Sequence, residues 1–342
     1  MGVSSARERG YAEKMMRMTV LASGSKGNST VIASSRTRVL VDAGLSCREL
    51  LRRMAIAGED PGALDAILIT HEHVDHVAGL AVLARRLRIP VFFTESTHRA
   101  WVRMLTPKTT MSYAKWLDRL QVEKEARAAV AGVVDAVCAE GEAAEGLRSD
   151  DPNAGLELPV EIEADAPVAV KADPASLPAV EYFQAGRGFS IGDIAVTPFT
   201  IPHDAADPCG FVFEAEGIRM AMATDLGYMP GNVKQALGGA DVLLLESNHD
   251  LEMLRDGPYP WSVKQRVLSR VGHLSNAATA EFLAREYDGG AAYIVLGHLS
   301  ESNNAPELAR LAAEQAIGDR MSLLGNKILL AEQGTPLGSI VL

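Results

Sequence analysis

An apolar run, Ala66 to Ile69, ends in Thr70 and leads directly into a cluster of histidines, and this constrains the chain more than any other feature. Short apolar runs rich in β-branched residues are typical of buried strands. Residues two apart in an extended backbone point to the same side, so His71 and His73 can converge on one point. The sequence therefore predicts a strand that delivers two imidazoles to a single site.

Two more ligand-type side chains, Asp75 and His76, follow where the chain turns into a predicted helix over residues 77–87. They can serve a second point close to the first. Imidazole and carboxylate groups suit zinc or manganese, and two ions about 3.5–4 Å apart are typical of two-metal hydrolysis. The chain has eight histidines in 342 residues, so three within six residues favour a metal site over a polar loop with fortuitous histidines.

Further ionisable residues follow later apolar strands in the same way. His203, Asp225, the segment Glu246 to Asp250, and His298 each come directly after a predicted strand. In layered α/β folds, the loops at one end of the sheets form the site. One such residue would be weak evidence, but four similar placements favour a single constellation.

The overall net charge of −11 would ordinarily disfavour a nucleic-acid enzyme. Residues 122–181, however, hold fourteen acidic and four basic residues, and the rest of the chain holds thirty acidic and twenty-nine basic. The acidic balance therefore belongs to one segment and says little about the substrate. Three scattered cysteines and the absence of a secretory signal pattern predict a reducing, cytoplasmic setting. The chain also lacks an apolar run long enough to predict a membrane span.

The uneven distribution of acidic residues also divides the chain into regions. We predict an N-terminal tail over 1–17, a domain built from 18–117 and 182–342, and an acidic, partly helical and partly disordered insertion over 118–181. So long a loop is unusual in a compact domain, so the insertion is a candidate site for a protein partner. The loop from Ser23 to Ser29 is open to two interpretations, an anion cradle made by backbone N–H groups or a simple hairpin turn.

The run from Thr70 to His76 resembles the H-x-H-x-D-H motif of the metallo-β-lactamase superfamily, and His203, Asp225 and His298 match its remaining ligand motifs in order. Several other segments resemble the bacterial YycJ-type branch, which comprises cytosolic proteins similar to DNA exonucleases and associated with cell-wall regulation operons. These segments are 23–29, 40–44, 203–208, 223–227, 245–250, 257–261 and 297–300.

The resemblance implies an α/β fold, a four-layer αββα sandwich, and two divalent metal ions. It implies that one metal is held by His71, His73 and His203, the other by Asp75, His76 and His298, and that Asp225 bridges them. A hydroxide shared by the ions would be the nucleophile. The ligands admit zinc, manganese or iron.

Asp75 and His273 are the two candidate catalytic residues, and His273 is not one of the implied metal ligands. It resembles the extra histidine of RNA-processing relatives and would stabilise or protonate the leaving oxygen, although a role in orienting a ligand or capping a helix is the alternative. Glu246 and His249 are expected to orient ligands through hydrogen bonds, and Asp42 is expected either to do the same or to have a structural role.

A nuclease or phosphodiesterase acting on nucleic acid is the leading functional hypothesis. A thioesterase of the glyoxalase II type shares the metal motif, but the C-terminal part of this chain does not resemble the glutathione-binding helices of that enzyme. A third alternative is a metal-binding regulator without turnover, although all seven ligand positions are filled here.

Overall fold

The computed structural model describes residues 15–106, 117, 121, 173–318 and 325–342. Its strands form two seven-stranded sheets. The first sheet has the spatial order β14-β1-β2-β3-β4-β5-β6, and β3 to β6 run parallel. Its strands are β1 (Arg17–Ala22), β2 (Ser29–Ala33), β3 (Arg38–Val41), β4 (Ala66–Leu68), β5 (Val91–Phe93), β6 (Val180–Tyr182) and β14 (Ile340–Val341).

The second sheet has the order β13-β12-β11-β10-β9-β8-β7, and β10 to β13 run parallel. Because β8 and β10 both pair antiparallel with β9, they point in the same direction. Its strands are β7 (Phe189–Ile191), β8 (Ile194–Thr200), β9 (Cys209–Ala215), β10 (Ile218–Ala223), β11 (Val242–Glu246), β12 (Tyr293–Gly297) and β13 (Lys327–Leu330).

Nine α-helices lie in the described part of the chain. Two of them begin at serine caps: the Ser46 side chain accepts a hydrogen bond from the Glu49 N–H, and that of Ser275 from the Ala278 N–H. The helices are α1 (Cys47–Ile56), α2 (Val74–Val77), α3 (Leu80–Leu87), α4 (Glu95–Leu105), α5 (Gly231–Leu237), α6 (Leu251–Asp256), α7 (Trp261–Val267), α8 (Asn276–Arg285) and α9 (Pro306–Ile317).

Strand β11 shows how the layers are built, because it is apolar on both faces. Val242 and Leu244 point into the core between the two sheets, whereas Leu243 and Leu245 pack with α5, α8 and α9. A third core joins the outer face of the first sheet to α1, α3 and α4. The order helix, sheet, sheet, helix confirms the predicted αββα sandwich.

The strand predicted over 66–69 is present as β4, and the helix predicted over 77–87 is present as α3, which begins at Leu80 after the short helix α2 ends at Val77. The first strand begins at Arg17, before the expected boundary of the tail, because the Arg17 guanidinium pairs with buried Glu59 at 2.7 Å and Met16 pairs with Leu342. The remainder of the predicted tail lies outside the described residues.

The predicted insertion also falls almost wholly outside the described residues. Its last residues, 173–181, are described, and they lead into β6, which extends the first sheet beside β5. No helix in the described ranges combines the length and apolar character that crossing a membrane requires.

Candidate metal centre

The candidate ligands meet at one edge of the sandwich. His71 follows β4, His203 follows β8, Asp225 follows β10 and His298 follows β12. These four strands run in directions that bring their carboxyl ends together, so the sequence need only place a polar residue after each strand. Ligand atoms from all seven predicted positions fall into groups whose members lie within 4.8 Å of one another.

The first group contains three imidazoles. His71 Nε2 lies 3.1 Å from His73 Nδ1, and His73 Nδ1 lies 3.3 Å from His203 Nε2. Tetrahedral bonds of about 2.0–2.1 Å to a metal place neighbouring ligand atoms about 3.3 Å apart. The spacing of these nitrogens is therefore the spacing that a tetrahedral ion requires.

The second group combines Asp75, His76 and His298. Asp75 Oδ2 lies 3.6 Å from His76 Nε2 and 3.8 Å from His298 Nε2. The Asp225 carboxylate stands between the groups, with Oδ2 3.4 Å from His76 Nε2 and Oδ1 3.5 Å from His298 Nε2 and 3.9 Å from His203 Nε2. One carboxylate thus faces imidazoles of both groups.

The electrostatics of this cluster fit a bound cation. Asp225 Oδ2 and His298 Nε2 are buried without a hydrogen-bond partner among the described residues. Burial opposes the charge of His76, but the carboxylates of Asp42, Asp225 and Asp75 prevail and raise its pKa to about 9. Burial lowers the pKa of His71 well below its usual range, which favours the neutral imidazole that a metal binds.

Hydrogen bonds on the far side of the imidazoles fix how they point. His76 Nδ1 lies 2.8 Å from Asp42 Oδ2, which also accepts from the Thr70 hydroxyl at 2.9 Å. His203 Nδ1 lies 3.2 Å from the Gly272 carbonyl oxygen. Histidines that bind metals usually donate their other N–H in this way, so the Nε2 atoms are left for the centre.

Glu246 organises the other side of the centre. Its Oε1 lies 2.9 Å from His298 Nδ1 and 2.8 Å from His273 Nδ1, and its Oε2 accepts from the backbone N–H groups of Leu226 and Leu274. Burial opposes its ionisation, yet the two imidazoles hold the pKa of Glu246 far below its usual range. The carboxylate therefore couples His298 to His273.

The other predicted residues are placed differently. His273 is half-buried, and its Nδ1 lies 3.8 Å from Asp225 Oδ1, close to the ligands. His249, expected to orient a ligand, instead bonds through Nδ1 to Asn248 Oδ1 at 3.3 Å. Asn248 in turn donates to the His298 carbonyl oxygen at 2.8 Å. His249 therefore acts on the ligand His298 through Asn248 and not by a direct hydrogen bond.

Three residues of the centre have left-handed backbones. Asp42, Asp225 and His298 have φ angles of 61°, 64° and 57°. Non-glycine residues seldom adopt this conformation, and such strain is concentrated at functional sites. The sharp turn after each strand lets the side chain point back across the edge of the sheet.

The loop from Ser23 to Ser29 supports the ligands instead of leaving its amides open to an anion. The N–H groups of Gly24, Gly27 and Asn28 already have partners, and Asn28 Nδ2 lies 3.0 Å from His76 Nε2. The Ser23 hydroxyl accepts from the His298 N–H at 2.7 Å. These geometries favour the turn over the anion cradle, and the roles of Ser23 and Asn28 could not be read from the sequence.

Gly44 allows the backbone of Asp75 to approach closely. A Cβ at position 44 would lie 1.7 Å from the Asp75 carbonyl oxygen, which also accepts from the Asn28 N–H. We therefore expect Gly44→Ala to lower the free energy of unfolding by about 2 kcal/mol or more and to displace Asp75. Urea unfolding and metal titration measure the two effects.

Gly231 provides the matched control for this variant. An added Cβ there meets no heavy atom within 4 Å, so Gly231→Ala is expected to leave stability unchanged or raise it by up to about 1 kcal/mol. Equal behaviour of the two variants would show that the approach at Gly44 is not required.

A cavity of about 200 Å³ opens over the candidate ligands. Its walls include Ser25 and, on the opposite side, Val263, Arg266 and Val267 of helix α7. Arg266 Nε donates to Asp204 Oδ2 at 2.6 Å, which holds its side chain at the rim. The site can therefore admit a small group to the ligands beside a basic side chain.

Comparison with known proteins agrees with this geometry. The chain is 32% identical over 295 residues to the exodeoxyribonuclease WalJ of Streptococcus pneumoniae, covering 86% of each chain. It is 31% identical over 305 residues to the exodeoxyribonuclease YycJ of Bacillus anthracis, covering 89% of this chain and 90% of the relative. The predicted resemblance to the YycJ-type branch is thus confirmed.

The fold and family are supported independently. The metallo-β-lactamase fold protein YhfI of Bacillus subtilis superposes with a TM-score of 0.57 at 14% identity, covering 94% of this chain and 99% of that one, which shows a shared fold. The model of the metallo-β-lactamase superfamily matches residues 22–298. The chain therefore belongs to the metallo-β-lactamase superfamily.

Proposed function

We propose that this chain is a metal-dependent phosphodiesterase that degrades DNA from its ends. The observation that carries the proposal is the pair of ligand groups joined by Asp225, because two adjacent cations are suited to displacement at a phosphate. The relatives that cover most of the chain at 31–32% identity are named exodeoxyribonucleases, which supports DNA as the substrate.

The residues divide into two sets in this proposal. Members of the superfamily generally bind divalent metal ions. His71, His73 and His203 would hold one ion, and Asp75, His76 and His298 the other, with Asp225 shared between them. Zinc, manganese and iron all suit nitrogen and oxygen ligands. Two bound ions would supply Lewis-acid charge to the phosphate and lower the pKa of water.

His273 would act on the leaving oxygen. It lines the cavity over the ligands, and its Nδ1 is engaged by Glu246 at 2.8 Å. This bond fixes the ring and leaves Nε2 to hydrogen-bond or protonate the oxygen that departs. Asp75 would contribute to catalysis as a ligand, since its Oδ2 lies between His76 and His298.

The surface beside the cavity suits DNA. Residues 261–275 contain three basic side chains and no acidic one, although the whole chain has a net charge of −11. Arg266 is paired with Asp204, whereas Lys264 and Arg270 form no ion pair with another described residue. Trp261 at the start of α7 is 68% exposed, and Val263 in the same helix lines the cavity. Basic groups next to an exposed aromatic ring are typical of surfaces that bind nucleic-acid strands.

Trp261→Ala is accordingly expected to weaken DNA binding about tenfold, because stacking on one base contributes about 1–3 kcal/mol. The KM for DNA should rise, whereas hydrolysis of bis-p-nitrophenyl phosphate should change little. Trp261→Phe retains a stacking ring and serves as the control. An unchanged KM for DNA in Trp261→Ala would show that this surface is not part of the DNA-binding site.

A direct test of the function uses protein stripped with a chelator and reloaded with zinc or manganese. End-labelled linear DNA, closed circular DNA, bis-p-nitrophenyl phosphate and a glutathione thioester are the substrates. We expect metal-dependent hydrolysis of linear DNA and of bis-p-nitrophenyl phosphate. Hydrolysis of the thioester alone would support the glyoxalase-type alternative, and loading with metal without any turnover would support the regulator.

Two expectations from the sequence stay predictions. A protein partner for the acidic segment 118–181 depends on residues almost all of which lie outside the described ranges. The cytoplasmic setting was inferred from cysteine usage and the pattern of the N-terminus. Fractionation of cells and affinity capture with and without the segment would test them.

A further inference from the structure

A second and larger cavity, of about 410 Å³, lies beside the metal centre. His273 lines both this cavity and the one over the ligands, so the two meet at that side chain. Its wall is mixed: polar surface exceeds apolar surface, and the apolar part is contributed by Met229, Leu268, Leu274 and Phe282. Its volume is in the range of pockets that hold small organic ligands, about 300–1,000 Å³.

The charged groups of this cavity do not favour a phosphate. Lys234 Nζ lies 2.6 Å from Glu286 Oε2, so its charge is already paired. Glu281, also in the wall, pairs with Arg285 at 2.8 Å. A pocket whose cation is neutralised and whose rim carries carboxylates suits an uncharged ligand better than an anion.

His249 lies in the cavity wall and carries a buried, unpaired hydrogen-bond acceptor. The Asn248 amide nitrogen donates to the His298 carbonyl oxygen, so Asn248 Oδ1 faces His249 Nδ1 and must accept its proton. His249 Nε2 is therefore the unprotonated nitrogen. The side chain is 1% exposed, and Nε2 has no partner among the described residues. Burial lowers the pKa of His249 to about 4, which is consistent with a neutral ring.

We propose that this cavity binds the terminal nucleoside of the DNA strand whose neighbouring phosphate is cut at the metal centre. The inference rests on the proposed function and identifies where the end of the DNA strand binds. Every base carries an N–H group on its Watson–Crick edge, which the unpaired His249 Nε2 would accept after a small rotation of its ring. The apolar side chains of the wall suit the faces of the base. The shared wall at His273 places the nucleoside next to the reacting phosphate.

The test fills the cavity without touching a candidate ligand. Ala278 in α8 lines the cavity, whereas its neighbour Ala277 is exposed and does not. Ala278→Phe is expected to lower kcat/KM for linear DNA by about 10–100-fold, the loss of one base contact, and Ala277→Phe to leave it unchanged. Hydrolysis of bis-p-nitrophenyl phosphate, which has neither a sugar nor a Watson–Crick edge to bind in the cavity, should stay within about twofold in both.

Two further measurements keep the outcome decisive. Leu268→Trp narrows the same cavity from a side chain that is 52% exposed, so it should fold even where Ala278→Phe does not. Deoxyadenosine monophosphate, a product of such a reaction, should inhibit the wild type and Ala277→Phe about tenfold more strongly than the two cavity variants.

The failure of this inference is distinguishable from failure of the proposed function. If the wild type hydrolyses bis-p-nitrophenyl phosphate and both cavity variants degrade DNA at its rate, the cavity does not hold the nucleoside. If the metal-loaded wild type hydrolyses no phosphodiester, the proposed function fails and the subsite fails with it.

Discussion

Replacing Asp225 by asparagine is expected to reduce metal-dependent hydrolysis about a thousandfold and to leave fewer than two ions bound. Asp225 is the carboxylate that faces both ligand groups, with its oxygens 3.4–3.9 Å from His76, His203 and His298. An amide of the same shape keeps the contacts but removes the negative charge that holds two cations together. Electrostatic contributions at such centres are worth about two to three orders of magnitude in rate.

Asparagine is a better substitute here than alanine. The φ angle of residue 225 is 64°, and asparagine tolerates this conformation whereas alanine is strained in it by about 1 kcal/mol. A loss of activity in Asp225→Ala would therefore mix a missing ligand with a distorted turn. Asp225→Asn isolates the charge, so its unfolding curve in the absence of metal should show a cooperative transition like that of the wild type.

The measurements are metal content after dialysis and kcat at saturating zinc or manganese. Asp256→Asn is the control, because Asp256 is 67% exposed and pairs with Arg255 at the surface. That variant should bind metal and turn over like the wild type. Full turnover with two bound ions in Asp225→Asn would contradict the assignment of Asp225 as the shared ligand.

The positions of the candidate ligands could be predicted because they depend on local patterns. Four of the ligands follow apolar strands, and such strands of four to seven residues are visible in the sequence; the ligands are His71, His203, Asp225 and His298. Strand β11 likewise is an unbroken apolar run in the sequence, and both of its faces are buried in the structure. Where the pattern is short-range, the sequence and the structure agree closely.

The supporting contacts could not be predicted, since they join residues far apart in the chain. Nothing near Asn28 in the sequence shows that its amide meets His76, and nothing near Gly44 shows that the Asp75 backbone passes beside it. His249 was predicted to orient a ligand because metal-binding histidines usually donate their other N–H to a neighbouring polar group, but the turn after β11 directs it toward Asn248. Such contacts are set by tertiary packing alone.

Glu246→Gln is expected to destabilise the protein by about 3–5 kcal/mol even without metal. The side chain is fully buried, and four donors converge on it, from His273, His298 and the backbone N–H groups of Leu226 and Leu274. A glutamine has one oxygen and one NH₂ group. If the oxygen faces the imidazoles, the two backbone N–H groups lose their acceptor; if the NH₂ faces the imidazoles, both rings must move their proton from Nδ1 to Nε2, and in either case the buried negative charge that the imidazoles pair with is lost.

The same change should weaken metal binding by about 10–100-fold, because His298 loses the partner that orients its ring. Urea unfolding of the metal-free protein and zinc titration against a chelator measure the two effects. Glu95→Gln is the control, since Glu95 is 59% exposed and pairs with Arg99 in the same helix and with no other described residue. Its stability should change by less than about 0.5 kcal/mol.

Comparing Asp225→Asn with Glu246→Gln distinguishes the role of a metal ligand from the role of a residue that holds the ligands in position. Asp225→Asn removes a proposed ligand, so its main loss should appear when metal and substrate are added. Glu246→Gln removes no proposed ligand, so its loss should already appear in the metal-free unfolding curve, and His273 should lose its orientation together with His298. A Glu246→Gln protein as stable as the wild type and with the same zinc affinity would show that the centre is held by its ligands alone.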